Sequence, residues 1–358
     1  MAPTKAPDRA YHALGRRAQI ERLRGLARSA LSGYGLEDAR LTLLRHEHNT
    51  TFRVDGAGGP YVLRINRPGV HTPATIASEM AWLHAVRRDT GLGVPEPVAD
   101  RDGSLTRLAR APGVPGPRVC VLLRRLEGRF VDDGLTPRHL RAVARLQIAL
   151  QEHAAAWTPP SEFARPRVDA LTAVAKAESI APGVAPPWHG DHPSRPDADR
   201  SLQLVQELFT VGDAAILAGA LDVVWATTRA LAEEPGAAGL VHGDLHQENY
   251  LFDGWDVRAI DFDDCGWGFR LHDVAVTLSG LGGRPDEPRL RDAVLEEHAA
   301  RHPLPDGAER HLAALGILRR AQLLMWVIES RDHAAFRDGW RARVGESLRA
   351  IAAAVERL

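Results

Sequence analysis

The sequence predicts an α+β chain in two lobes, a small β-rich lobe followed by a larger, mainly helical one. Three observations carry this. Short apolar runs bounded by turn residues crowd the first third of the chain, with one helical pattern embedded among them. After Gly128 the texture changes to long stretches dominated by alanine and leucine. The 358 residues suffice for about two packed units at ~150 residues each.

In chain order, residues 14–33 set Ile20, Leu23, Leu26 and Leu31 among arginines, which predicts an amphipathic helix. Residues 41–44 form an apolar run and 51–55 alternate. Gly56-Ala57-Gly58-Gly59-Pro60 reads as a turn, and 61–65 as the next strand, a hairpin pattern. Thr72 caps and Pro73 opens a helix whose register runs through Ile76, Met80, Leu83 and Arg87 and ends near Gly91. Residues 94–98 and 119–123 read as two further strands. A hinge falls near 123–128, dividing the chain into 1–123 and 124–358. Helices are expected over 137–157, 201–234 and from 289 to the C-terminus, and short strands over 240–264. Residues 158–200, rich in proline and charge, read as an irregular excursion with at most one helix, near 167–179.

Composition excludes several function classes. The 45 basic and 46 acidic residues leave a net charge of -1, which argues against a dedicated binder of nucleic acid or anionic membrane. Cys120 and Cys265 cannot make a disulfide framework and suit a reducing compartment. No apolar run approaches the ~18 residues of a membrane span, and residues 1–8 are polar, so the expectation is a soluble, cytoplasmic protein. Only two residues are lysines, Lys5 and Lys176.

The chemistry concentrates in Leu240-Val241-His242-Gly243-Asp244-Leu245-His246-Gln247-Glu248-Asn249, followed by Ala259-Ile260-Asp261-Phe262-Asp263-Asp264. Phosphoryl transfer from ATP needs a carboxylate to orient and deprotonate the attacking hydroxyl. It also needs an amide oxygen and a second carboxylate to hold Mg2+ against the phosphates. Asp244 fits the base, and Asn249 and Asp261 the two metal ligands. His189-Gly190-Asp191 repeats the tripeptide, but Pro196 stands where asparagine is required and no Ile-Asp-Phe follows, so it reads as a surface loop. His242 and His246, four apart, have the spacing of a zinc pair on a helix, yet Gly243 disfavours a helix and no third ligand is evident.

On these residues the chain resembles the aminoglycoside phosphotransferase and choline kinase superfamily, which has a protein-kinase-like fold. That family's His-Gly-Asp, four residues, Asn, then Ile-Asp-Phe/Trp-Asp/Glu stands here as 242–249 and 260–263. Asp263-Asp264, Gly268 and Asp273 look most like the bacterial stress-response kinase and type II homoserine kinase group. The resemblance spans about 41–340. It implies a bilobal fold with a nucleotide-binding N-lobe (1–123) and a catalytic, acceptor-binding C-lobe (124–358), using ATP and Mg2+. It implies that His242 braces the catalytic loop and that Asp273 accepts hydrogen bonds from its backbone, a helix N-cap being the plainer alternative for Asp273. Asp263 and Asp264 support the metal or shape the turn, and Cys265 is packing or incidental.

The resemblance also implies a basic residue on a small-lobe strand that contacts phosphate and pairs with a glutamate on the next helix. The family usually has lysine there. Lys5 and Lys176 lie elsewhere, so the role falls to Arg64, with Glu79 as partner and a guanidinium in place of an ammonium. The plainer alternatives are a solvated strand arginine and a solvent-facing helix glutamate. Asn49 matches the family's phosphate-covering loop, and the main chain at Leu123, Arg124 and Leu126 would read the adenine edge. The expected reaction moves the γ-phosphate of ATP to a hydroxyl of a small molecule (aminoglycoside-like, homoserine-like or choline-like). Trp326, Glu329, Arg331, Asp332, Trp340 and the 158–200 excursion would line the acceptor site. The alternatives are a serine/threonine protein kinase and a non-catalytic nucleotide-binding module, the latter favoured only by arginine at 64.

Overall fold

The computed structural model describes residue 11 and residues 13–47, 49–168, 207–331 and 338–358. The expected helix near 167–179, Lys176, the second His-Gly-Asp at 189–191, Lys5 and Asp332 lie outside the described residues. The chain divides into two compact units, Met1–Glu127 with Pro159–Phe163, and Gly128–Thr158 with Ala164–Leu358.

The first unit is a five-stranded antiparallel sheet of β1 (Arg40–His46), β2 (Thr50–Gly56), β3 (Gly59–Ile65), β4 (Arg107–Ala109) and β5 (Arg118–Arg124), in the order β1-β2-β3-β5-β4. Alternation along the strands sends one set of side chains to one face. Phe52 pairs with Leu63 and Leu63 with Leu122, making a cross-strand row. On that face helix α1 (Arg16–Leu31) packs Leu23, Leu26, Ala27, Ala30 and Leu31 against Phe52, Val54, Leu63 and Leu122. Arg64, between Leu63 and Ile65, therefore faces the other way. Helix α2 (Pro73–Thr90) follows, with the Thr72 side chain accepting from Thr75 N and Gly91 closing it at φ 68°.

One expectation fails here. Residues 94–98 are not a strand, because Pro95 and Pro97 carry no N–H for a ladder. Only an isolated bridge of Pro97 to Leu123 remains, with Val98 N bonding Leu122 O at 2.8 Å. The strand that completes the sheet is β4, hydrogen-bonded to β5.

The second unit is helical around two short ribbons. Among the described residues its helices are α3 (Pro137–Ala156), α4 (Val211–Thr228), α5 (Arg270–Ser279), α6 (Glu287–Arg301), α7 (Ala308–Glu329) and α8 (Trp340–Val355). Strands β6 (Ala238–Val241) and β9 (Gly266–Phe269) form one antiparallel ribbon, β7 (Tyr250–Asp253) and β8 (Asp256–Ala259) the other. Helix α5 occupies a stretch for which the sequence reading predicts no element. Two segments, Val211–Glu233 and Ala308–Glu329, have the length and apolarity of a membrane span, contrary to the expectation of none. The apolar surface of α7 is spent internally: Leu312, Leu315, Leu318, Ala321, Leu324 and Ile328 are buried in the core of this unit.

Candidate active site

In the second unit, the ladder of β6 ends at Val241 and that of β7 begins at Tyr250, so residues 242–249 form a loop anchored at both ends. Gly243 has φ 83°, and a Cβ there would lie 2.6 Å from Asp264 O, so only glycine permits the close pass of the two loops. Asp273 in the first turn of α5 holds the loop from below. Its Oδ2 accepts from His242 N at 2.8 Å and its Oδ1 from Gly243 N at 2.7 Å, as expected. Burial pushes the Asp273 carboxyl up to about 6 against the pull of these two hydrogen bonds.

His242 is buried, and burial pushes its imidazole down to about 4, so it is neutral. Its Nε2 donates to Ile260 O at 3.0 Å, and its Nδ1 accepts from Asp244 N at 3.3 Å. Both ring nitrogens are spent on main chain, which leaves none for zinc. Among the described residues no group of three or more His, Cys, Asp or Glu could hold a metal.

Asp244 sits at the centre. Asn249 Nδ2 donates to Asp244 O and to Asp244 Oδ2, both at 2.8 Å. His246 Nε2 lies 3.4 Å from Oδ2, and the guanidinium of Arg319 on α7 donates to Oδ1. Burial works to raise this carboxyl; the His246 hydrogen bond and the Arg319 charge outweigh it and hold it down at about 2. Asp244 is therefore anionic at neutral pH.

Since the Asn249 Nδ2 faces a carboxylate, its carbonyl Oδ1 is turned away from Asp244, the orientation a hard cation needs. Ile260 N donates to Asn249 O at 2.9 Å, continuing the β7–β8 ladder. That bond puts Ile260 opposite Asn249, and Asp261 follows directly at the ribbon's end. Asp261 has φ 65° and ψ 61° and is the only non-glycine residue at positive φ among the described residues. A left-handed aspartate costs of order 1–3 kcal/mol and clusters at functional sites. One amide oxygen and one carboxylate suit a magnesium ion that takes its remaining ligands from phosphate and water.

In the first unit, Arg64 and Glu79 are a buried bidentate pair, Nη1 to Oε1 at 2.9 Å and Nη2 to Oε2 at 2.5 Å. Their side chains are 4% and 1% exposed, so the solvated alternatives for both fail. Asn49 Oδ1 accepts from Arg67 N at 3.0 Å, tying the β1–β2 turn to the end of β3. Leu123 and Arg124 belong to β5, paired with Val62 and Tyr61. The N–H of Arg124 bonds Glu96 O and that of Arg125 bonds Pro60 O. Leu126 follows, beyond the last β5 rung.

Sequence reasoning missed two arginines. Arg165 is fully buried and donates from Nε to Cys265 O and from Nη2 to Asp263 O, both at 2.5 Å, pinning the turn after Asp261. Arg319 pairs with Asp244. The available signal was an Arg319-Arg320 doublet inside the mostly apolar stretch from Leu312 to Ile328. Cys265 is buried packing.

Comparison with known proteins shows the family and the fold. The model of the phosphotransferase enzyme family matches residues 40–312. An uncharacterised protein of Deinococcus radiodurans is 33% identical over 305 residues, 81% of this chain and 78% of that one. The solved structure of a microcompartment-associated aminopropanol kinase is 27% identical with a TM-score of 0.69, covering 92% of this chain and 94% of its own. An amicoumacin kinase solved in complex with AMP-PNP, Ca2+ and Ami is 16% identical with a TM-score of 0.69, covering 96% and 94%, which shows the shared fold. The chain belongs to the phosphotransferase enzyme family and is a phosphotransferase of kinase-like fold acting on an alcohol group.

Proposed function

We propose that this enzyme transfers the γ-phosphate of ATP, with Mg2+, to the hydroxyl of a small amino alcohol in the cytoplasm, with Asp244 as base. The observation that carries the reading is the hydrogen bond from Asn249 Nδ2 to Asp244 Oδ2, which joins the base to a metal-ligand candidate in one rigid loop. Asp244 accepts the hydroxyl proton as the acceptor oxygen bonds to the γ-phosphorus and the bond from that phosphorus to the ADP oxygen breaks. Asn249 Oδ1 and the Asp261 carboxylate would hold Mg2+, which would supply positive charge to the transferring phosphate. Arg64, oriented by Glu79, supplies positive charge to the phosphates. Asn49 and the main chain at Leu123, Arg124 and Leu126 serve the nucleotide. His242 and Asp273 hold the loop still.

The amino-alcohol acceptor is supported by likeness to an aminopropanol kinase at 27% identity over nearly the whole of both chains. Amicoumacin and aminoglycoside kinases of the same fold also take small molecules. The even net charge suits neither nucleic acid nor membrane as partner. The test is ADP release with Mg2+ over a panel of 1-amino-2-propanol, homoserine, choline and an aminoglycoside, beside autophosphorylation and a protein substrate. Turnover with 1-amino-2-propanol that falls by roughly 10²–10⁴ in Asp244→Asn supports the reading. Phosphorylation confined to protein substrates, or ATP binding with no turnover on any acceptor, overturns it.

A further inference from the structure

Asp244 is not held by its own loop alone. Asn249 grips Oδ2 at 2.8 Å, whereas Oδ1 is gripped by Arg319, 75 residues further along the chain. Arg319 and Asp244 side chains are 11% and 20% exposed, so the pair is shielded from water. Arg319 rises from a helix whose Leu315, Leu318, Ala321 and Leu324 are core. A guanidinium in such a place gives up hydration, and apolar side chains in place of the whole Arg319–Asp244 pair would serve stability as well or better, so packing alone does not account for the pair. Arg319 donates to the Asp244 carboxylate, and among the described residues its Nε has no partner.

The consequence is geometric. The terminal torsion of an aspartate is broad and two-fold when free. Here donors from two different elements hold the two carboxylate oxygens, which fixes the plane of the group. We infer that Arg319 is a positioning residue for phosphoryl transfer: with Asn249 it locks the Asp244 carboxylate plane so that a remaining lone pair faces the acceptor hydroxyl. This rests on Asp244 being the base. A misplacement of ~1 Å at a reacting group can cost ~10²-fold in rate, which sets the scale of the effect.

The experiment is a double-mutant cycle on the full chain, with ADP release from ATP and Mg2+ in the presence of 1-amino-2-propanol as readout. Arg319→Met keeps an unbranched side chain in the helix and removes the charge. We expect kcat to fall ~10–100-fold while KM for ATP and for the acceptor stays within about twofold. In the Asp244→Asn background the same substitution should change kcat by less than about twofold, because no carboxylate remains to be held. An equal loss in both backgrounds, or a loss confined to acceptor KM, assigns Arg319 to direct acceptor contact and overturns the inference. If Arg319→Met does not fold, Arg319→Lys carries the test. The ammonium can reach Oδ1 but is a point charge without a plane, so kcat falls with KM unchanged, and unaltered kcat overturns the inference. Two failures are distinguishable. Asp244→Asn with wild-type turnover, or a wild type inert on every acceptor, defeats the proposed function and this inference together. Crippled Asp244→Asn beside unimpaired Arg319→Met defeats the inference alone.

Discussion

Glu79→Gln is expected to destabilise the first unit severely. The substitution keeps size and shape and removes one charge from a bidentate pair whose side chains are 4% and 1% exposed. Breaking a buried pair by removing one partner costs about 3–5 kcal/mol, since the surviving charge stays buried without compensation. For a unit of this size about 1 kcal/mol shifts Tm by roughly 3–4 °C, so the drop should be on the order of 10 °C or more in thermal unfolding followed by circular dichroism. The companion experiment replaces both partners, Arg64→Met with Glu79→Leu. Apolar replacement of a whole buried pair is often neutral or stabilising, so most of the lost stability should return. The nucleotide effect should not: ATP with Mg2+ should raise the Tm of wild type and leave that of the double variant nearly unmoved. A Glu79→Gln shift under about 3 °C would refute the buried-pair energetics. A double variant that still responds fully to ATP would refute the phosphate role of Arg64.

Three further outcomes are expected. Asp261→Asn should leave Tm within about 2 °C, because asparagine tolerates the left-handed conformation as well as aspartate, while activation by Mg2+ weakens strongly; a Mg2+ titration of kcat checks this, and an unchanged curve contradicts the ligand role. Asp273→Asn replaces one acceptor oxygen with a donor facing the N–H of His242 or Gly243, at a cost of about 2–3 kcal/mol or more, read as a lowered Tm and depressed kcat; wild-type behaviour would sink the bracing role. Stability should fall as pH drops from about 6.5 towards 4. Burial holds His242, His272 and His298 down at about 4, so in that window the unfolded chain binds more protons than the folded one. Asp273, raised to about 6, opposes this with one proton held in the folded state, leaving a net excess of up to two protons in the unfolded chain. A Tm unchanged between pH 7 and 5 would contradict this balance.

The sequence by itself determined the parts that depend on local order. Alternation in β2 and β3, the Thr72-Pro73 helix start and the β6–loop–β7 run are local patterns that tertiary contacts had only to accept. The constellation of Asp244, Asn249 and Asp261 was legible because the loop and the β7–β8 ribbon that carry it are continuous in sequence. The shortage of lysine was informative too, since it left Arg64 as the basic residue of that strand for the family's lysine position. The segment at 94–98 misled because apolar residues and strand-like spacing were present, while the missing N–H groups of Pro95 and Pro97 decide against a ladder only when a neighbouring strand is there to be paired. What only the tertiary structure decided are contacts across long separations: Glu79 buried rather than solvated, Asp273 beneath the loop, Arg165 bonded to carbonyls 98 and 100 residues away, and Arg319 on Asp244 from 75 residues away. The physical reason is common to all four. A charged side chain looks the same in sequence whether water or a buried partner satisfies it, and only packing removes the water.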